Sequence, residues 1–199
     1  CSVTAAYSHL PAMLDKFRQL HPLVEIVLTT GDASDALTQL KQRAVDIAIA
    51  AKPEKLSPSM HFHRLADIPL QLIAPSQKSH VSQILEQSTV DWSSVPFILP
   101  EHGPVRLRFD RWFRRFYHGK PNIYATVSGH EALVSMVALG CGIGFAPEVV
   151  IDNSPVKERV TVLDNVGEIS PFELGVCCLT ANQSQPLIDA FFIAITTQN

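Results

Sequence analysis

The chain has 199 residues, of which 46% are hydrophobic and 18% are charged. This composition is ordinary for a globular protein, so it excludes disordered and fibrous classes, and the length fits one domain or two small ones. A formal net charge of −3 and a pI near 6.2 argue against nucleic-acid binding by this chain on its own.

Cysteine and histidine spacing indicates neither a disulfide framework nor a metal site. The four cysteines stand at positions 1, 141, 177 and 178, without a CxxC pair, so we expect free thiols in a reducing cytoplasm. His61 and His63 share a strand face, but no cysteine or acidic partner follows nearby. No metal and no cofactor are therefore predicted. The abrupt start at Cys1, without Met or a leader, suggests a fragment whose N-terminal part has been removed.

The first 50 residues alternate between strand patterns and helix patterns. Residues 2–5 resemble the end of a strand, and Ser8 is placed to cap a helix that reaches about Leu20. Residues 23–30 alternate and are rich in β-branched side chains, which predicts a strand. A helix capped by Asp32 follows, and the apolar run 45–50 predicts a strand covered on both faces.

The middle of the chain repeats this alternation. Residues 60–65 and 69–74 are predicted to be extended, 79–87 to form a short helix and 95–99 a strand. Pro104 suits the first turn of the next helix, because its missing N–H costs nothing there. The buried stripe of this helix is aromatic: Phe109, Trp112, Phe113 and Phe116.

The stretch from residue 126 to 150 predicts a strand, a buried helix and a second strand. Ser128 and Glu131 have the spacing of a capping box, so a helix should begin near Gly129. Gly140 should end this helix, and residues 143–146 should form a short buried strand. Small molecules bind at such strand-to-helix junctions, because the helix start offers unpaired N–H groups. A junction that serves only the fold is the competing interpretation.

The end of the chain predicts strands at 160–163 and 172–179 and a last helix capped by Ser184. The whole pattern is that of two α/β halves, with the second inserted in the first. We expect lobe I to comprise residues 1–67 and 169–199 and lobe II residues 68–168, joined by two crossing strands. A cleft between two lobes is a preferred site for a small ligand.

Several short motifs together resemble the regulatory domain of LysR-type transcriptional regulators, and the resemblance covers essentially the whole chain. They are Leu10-Pro11, FRQLHP at 17–22, TGD at 30–32, VDIAI at 45–49 and GCGIGFAP at 140–147. The resemblance implies a two-lobed α/β fold like that of periplasmic binding proteins, each lobe a mostly parallel sheet flanked by helices. It also implies an effector in the inter-lobe cleft, a homodimer of these domains within a tetramer, and a cytoplasmic protein without membrane contact. The winged helix-turn-helix that contacts DNA would precede Cys1 and is absent from this chain.

The family's effector loops can be carried over onto matching positions of this chain. In lobe I these positions form two groups, and in lobe II they form two junctions and one residue near the hinge side. The candidate effector-binding residues are Thr4, Ala5, Ala6, Gly31, Asp32, Ala33, His102, Gly103, Pro104, Arg106, Ser128, Gly129, His130 and Phe145. Many relatives have Ser or Thr where Asp32 stands, so an acid there suits a hydroxyl group of the ligand better than its carboxylate.

The resemblance is closest to members that activate branched-chain amino acid biosynthesis. It implies 2-acetolactate or 2-aceto-2-hydroxybutyrate as the effector. Arg106 at a helix start could pair with the carboxylate of such a ligand, or could be one more surface arginine of a solvated helix face. Thr4 and Ser128 offer hydroxyls, for which simple N-capping is the alternative.

Two other function classes are open from the sequence. One is a solute-binding protein that delivers its ligand to a transporter, and the other is a small two-lobed enzyme that acts on a keto acid. No nucleophile elbow, P-loop or metalloprotease motif is present, so catalysis is not predicted. The arginine-rich helix 104–116 is a weak candidate for nucleic-acid contact, because its aromatic residues lie on the opposite, core-facing side.

Overall fold

The computed structural model describes residues 1–31, 33–117 and 119–196 and forms two compact units. Unit 1 comprises Cys1–Asp67 and the chain from Glu173 onward, and unit 2 comprises Ile68–Phe172. The chain thus leaves unit 2 after residue 172, where the sequence suggested 168. The role of the two units as regulatory lobes stays a prediction.

Unit 1 begins with three helices and two strands. These elements are α1 (Val3–Tyr7), α2 (Leu10–Leu20), α3 (Ala33–Lys41), β1 (Ala48–Ala51) and β2 (Met60–Ile68). The apolar stripe of α2 is buried at Leu10, Met13 and Phe17, as the i, i+3 and i+7 spacing requires. Leu40 of α3 and Ala50 of β1 are fully buried in one apolar cluster.

Unit 2 follows as an alternating series of strands and helices. They are β3 (Leu70–Pro75), α4 (His80–Leu85), β4 (Pro96–Pro100), α5 (Pro104–Phe116), β5 (Asn122–Val127), α6 (His130–Ala138), β6 (Gly144–Pro147), α7 (Glu148–Asp152) and β7 (Val160–Val162). The chain then returns to unit 1 through β8 (Phe172–Leu179) and α8 (Pro186–Thr196). Two short 3-10 helices lie at Lys157–Arg159 and Thr180–Asn182.

The described strands form both antiparallel and parallel pairs, where mostly parallel sheets were predicted. Unit 1 contains the order β1-β8-β2, in which β1 and β8 are antiparallel. In unit 2, β3 pairs antiparallel with both β6 and β7, whereas β4 and β5 are parallel. The helix between β4 and β5 is the crossover that parallel strands need. The partners of β3 come from much later in the chain, and local pattern carries no information on their direction.

The core of unit 2 combines an aliphatic cluster with an aromatic one. Ile73, Leu133, Val134 and Val137 are fully buried between the sheet and α6. On the other side, aromatic rings of α5 pack against Phe97 of β4 at centroid distances of 4.9 to 6.5 Å. The indole Nε1 of Trp112 donates to the carbonyl oxygen of Val166 at 2.8 Å, which satisfies its only polar group.

Two strands predicted at the start of the chain are not formed. Residues 3–7 are the helix α1, which is capped by the Ser2 side chain accepting from the Ala5 N–H at 3.4 Å. Ser8 follows α1 as its C-cap, so it does not cap α2 as predicted. Residues 23–30 form no strand, and Leu23 and Val27 are 99% and 86% exposed. An alternating pattern becomes a strand only where another strand pairs with it.

Candidate functional site

The parallel pair of β4 and β5 brings two strand-to-helix junctions to one edge of unit 2. Pro100 at the end of β4 lies opposite Val127 at the end of β5. The N–H of Glu101 donates to the carbonyl oxygen of Val127 at 3.3 Å, so the two loops are joined directly after the strands. The N-termini of α5 and α6 therefore start from the same edge, which is where α/β sheets bind ligands.

The start of α5 leaves its first N–H groups without a side-chain cap. Gly103 is the N-cap at φ 91°, a backbone conformation that favours glycine, and Pro104 follows as the first helical residue. The N-cap residue thus provides no side-chain cap for this first turn. The amides of Val105 and Arg106 thus contribute donors and partial positive charge at the edge.

The start of α6 has the same character, and the predicted capping box is wrong. Gly129 is the N-cap at φ 86°, no side chain caps the first turn, and Ser128 is exposed outside the helix. The capping box that unit 2 does contain lies at α4, where Ser79 and Ser82 exchange hydrogen bonds of 3.2 and 2.8 Å. Because Ser128 does not cap, the helix start keeps donors that an anion can use.

Arg106 is held over the end of β4 by two hydrogen bonds. Its Nε donates to Asp110 Oδ1 at 3.2 Å, and its Nη1 donates to the carbonyl oxygen of Pro100 at 3.3 Å. The side chain is 25% exposed, so it lies partly within the edge rather than extended into solvent. A guanidinium carries five N–H donors, so these two bonds leave it further donors for a carboxylate.

Two other arginines of α5 show the alternative role, that of a structural or surface arginine. Arg108 Nε donates to the carbonyl oxygens of Ser170 and Pro171, which fastens α5 to the loop before β8. Arg115 lies 3.9 Å from Glu168 as an exposed ion pair, which contributes little to stability. Arg106 differs because its bonds fix it at the junction itself.

The candidate residues of unit 1 lie beside each other at its N-terminal end. Thr4 and Ala5 are buried in α1, and Ala6 is half-buried. A parallel bridge joins Ser2, the cap of α1, to Gly31, so the two predicted loops are neighbours. Asp32 lies outside the described residues, and Ala33 is described only as the first residue of α3.

The remaining candidates separate into exposed residues and one core residue. His102 is exposed in the loop before α5, and His130 is the half-buried first residue of α6. Phe145 is completely buried, with its ring 5.1 Å from Trp112 and 5.8 Å from Phe109. The side chain of Phe145 therefore forms part of the aromatic core and is not available to a ligand.

Sequence reasoning missed Asp110 and the carbonyl oxygen of Pro100, which position Arg106. The spacing of four residues between Arg106 and Asp110 on one helix was a readable signal. Over residues 1–31, 33–117 and 119–196, no group of three or more His, Cys, Asp or Glu side chains is arranged to hold a metal ion. In the same part of the chain, no helix has both the length and the apolar character of a membrane span.

Comparison with known proteins identifies the family. A model of the LysR substrate binding domain matches residues 1–198. The chain belongs to the LysR substrate-binding domain family. It is 53% identical over 194 residues to the HTH-type transcriptional activator IlvY of Salmonella typhimurium, covering 96% of this chain and 66% of that protein. It is also 53% identical to the HTH-type transcriptional regulator IlvY of Escherichia coli, covering 96% and 65%.

Solved structures of LysR domains confirm the predicted two-lobed α/β fold class. The effector binding domain of QuiR in complex with shikimate superposes with a TM-score of 0.78 at 18% identity, covering 98% of this chain and 91% of that one. The resemblance read from the sequence motifs is likewise confirmed. The LysR domain described here spans about two thirds of the length of its curated IlvY relatives.

Proposed function

We propose that this LysR domain is the effector-sensing part of a transcriptional activator that controls branched-chain amino acid biosynthesis. The observation that carries the proposal is the edge of β4 and β5, where two helix starts without side-chain caps stand beside Arg106. Such an edge attracts a small anion through helix N–H groups and a guanidinium. The printed names of the IlvY relatives, as activators and regulators of transcription, support a sensing role.

The proposed effector is 2-acetolactate or 2-aceto-2-hydroxybutyrate. Each has a carboxylate, a ketone and a hydroxyl on a small carbon frame. We assign the carboxylate to Arg106 and the first amides of α5, and the ketone to the amides of α6 with the Ser128 hydroxyl. Thr4 and Asp32 are the proposed partners of the ligand hydroxyl, since a carboxylate accepts where a hydroxyl donates.

The proposed contact set keeps every candidate except Phe145. It comprises Thr4, Ala5, Ala6, Gly31, Asp32, Ala33, His102, Gly103, Pro104, Arg106, Ser128, Gly129 and His130. In the full-length protein we propose a homodimer of these domains within a cytoplasmic tetramer, with DNA bound by a winged helix-turn-helix ahead of Cys1. An effector shifts such an assembly only through different affinities for its alternative states.

Isothermal titration calorimetry with a panel of ligands tests the proposal. We expect 2-acetolactate to release or absorb heat saturably, while pyruvate and the branched-chain amino acids bind at least about tenfold more weakly, a difference of about 1.4 kcal/mol. If only an unrelated ligand bound, the proposed identity of the effector would be wrong. Consumption of 2-acetolactate by the pure protein would instead indicate an enzyme.

A further inference from the structure

Arg108 of α5 holds the segment through which the chain leaves unit 2. Its Nε donates to the carbonyl oxygens of Ser170 and Pro171, at 3.1 and 2.8 Å. Its guanidinium lies 5.8 Å from the ring centroid of Phe172, the last residue of unit 2. We call residues 170–172 the exit segment. One planar cation therefore contacts every residue of this segment.

The exit segment has few other anchors. Residues 164–171 belong to no helix or strand, and Ser170 and Pro171 are exposed. Among the described residues, no backbone group is hydrogen bonded to Ser170 or Pro171. The buried ring of Phe172 anchors the end of the segment. Arg108 therefore supplies the hydrogen bonds that fix its exposed part to unit 2.

The same guanidinium is tied to the first turn of α5. Its Nη1 donates to the carbonyl oxygen of Pro104 at 3.2 Å. Pro104 is the first residue of α5, and the amides that follow it are the proposed donors to the ligand carboxylate. Arg106, in the same turn, is held at the end of β4. The helix start and the exit segment are therefore joined through one side chain.

Directly after the exit segment the chain enters unit 1 at Glu173. Lys52 of unit 1 binds this residue twice. Its backbone N–H donates to the Glu173 carbonyl oxygen at 2.8 Å, and its Nζ donates to the Glu173 Oε2 at 2.9 Å. One peptide unit, between Phe172 and Glu173, thus connects a residue held by unit 2 to a residue held by unit 1. A movement of the exit segment must be taken up at this peptide unit.

We propose that Arg108 is a positioning residue, which transmits occupancy of the α5 helix start to the exit segment. The inference rests on the proposed function, since the ligand is the small carboxylate assigned to Arg106 and the first amides of α5. A ligand that orders this turn fixes the Pro104 carbonyl oxygen, and Arg108 then fixes the exit segment. Binding that orders one part of a protein also favours order in a part coupled to it.

Proteolysis without any ligand tests whether Arg108 holds the exit segment. Glu168 is exposed just before the segment, so a protease that cleaves after glutamate reports how often this loop opens. Arg108→Lys keeps the positive charge but lacks the planar fork that reaches several carbonyl oxygens. We expect cleavage after Glu168 to be at least about fivefold faster in Arg108→Lys than in the original chain.

Arg114→Lys is the matched control, because the Nε of Arg114 donates to a carbonyl oxygen of its own helix, that of Asp110, at 3.0 Å. This variant should be cleaved after Glu168 at the rate of the original chain. Cleavage after the exposed Glu86, at the end of α4, reports general unfolding and should be the same in all the proteins. Equal rates after Glu168 in the two variants would overturn the role of Arg108. An equally large increase after Glu86 in Arg108→Lys would also overturn it.

Digestion in the presence of 2-acetolactate tests the transmission. At ligand concentrations that calorimetry shows to saturate each protein, cleavage after Glu168 should slow at least about fivefold in the original chain and in Arg114→Lys. In Arg108→Lys it should slow by less than about twofold. Equal slowing in all the proteins would overturn the transmission. Absence of heat with the original chain would refute the proposed effector and with it the transmission, whereas the ligand-free rates still decide whether Arg108 holds the exit segment.

Discussion

Unit 2 and unit 1 have similar sequence patterns but differ in how completely their strands are paired. In unit 2, β6 pairs with β3, and Phe145 lies in a closed aromatic core. In unit 1, the alternating segment 23–30 lies beside a cavity and is largely exposed. Periodicity therefore predicts where a strand can form, and the presence of neighbouring strands decides whether it does.

Phe145 and Val27 were both predicted to lie in strands, and substitutions at these two positions should differ most in their effect on stability. Phe145→Ala removes a fully buried ring and should lower the free energy of unfolding by about 3 to 5 kcal/mol. Val27→Ala, at an 86% exposed side chain, should change it by less than about 0.5 kcal/mol. Urea unfolding of both variants measures the difference. Similar losses of stability would mean that the Val27 side chain is buried in the folded protein, as that of Phe145 is.

A second contrast uses two glycines. A Cβ on Gly144 would lie 2.6 Å from the Ile98 carbonyl oxygen and 3.0 Å from Leu133, whereas a Cβ on Gly31 meets nothing within 4 Å. Gly144→Ala should therefore cost about 1 to 3 kcal/mol in the free energy of unfolding, because backbone must move. Gly31→Ala should hardly change the free energy of unfolding. Thermal unfolding measures both variants, and a larger loss of stability for Gly31→Ala than for Gly144→Ala would contradict the close packing around Gly144.

Stability should decrease at alkaline pH, because the Cys177 thiol of β8 is buried in unit 1. Burial raises the pKa of the Cys177 thiol from its ordinary value near 9 to about 12, and the neighbouring Cys178 adds to the shift. Above pH 9 the unfolded chain loses this proton while the folded chain keeps it, so stability should fall by about 1.4 kcal/mol per pH unit up to pH 12.

The control for this pH dependence is Cys177→Ala. Denaturant unfolding between pH 8 and pH 10 should show a shallower decline for the variant than for the original chain. Parallel declines would indicate that the Cys177 thiol is accessible to water in the folded protein.

The smallest contrast concerns two serines of unit 2. Ser79→Ala removes the capping box of α4 and should cost about 1 kcal/mol in unfolding free energy. Ser128→Ala should change stability by less than about 0.5 kcal/mol, because Ser128 caps no helix. Thermal unfolding distinguishes the two variants. A large loss of stability for Ser128→Ala would indicate that Ser128 does cap α6, as its spacing from Glu131 predicted.

The sequence predicted most of unit 2 because its signals are local. Helix α6 begins one residue after the predicted start, and Gly140 follows it at φ 82°. The predicted cap failed because Gly129, with its positive φ, fills the N-cap position that Ser128 was expected to take. The antiparallel pairing of β3 depends on contacts distant in sequence, which no local period encodes, whereas the burial of Phe145 agrees with the short buried strand predicted at 143–146.

The candidate site was predictable in part for the same reason. Two junctions of unit 2 could be placed from strand ends and helix starts, and the structure brings them to one edge. The bonds that hold Arg106 to Asp110 and Pro100 required the fold of the loop. In unit 1, the helix α1 replaced the expected strand end, so Thr4 came to lie within a helix.

We propose that Arg106 and the two helix starts bind a small carboxylate. Calorimetric titration of 2-acetolactate into the Arg106→Ala variant tests it most directly, with Arg114→Ala on the same helix as the matched control. We predict at least tenfold weaker binding for Arg106→Ala, about 1.4 kcal/mol, and unchanged binding for Arg114→Ala. Equal affinity of both variants and the original chain would contradict the claim.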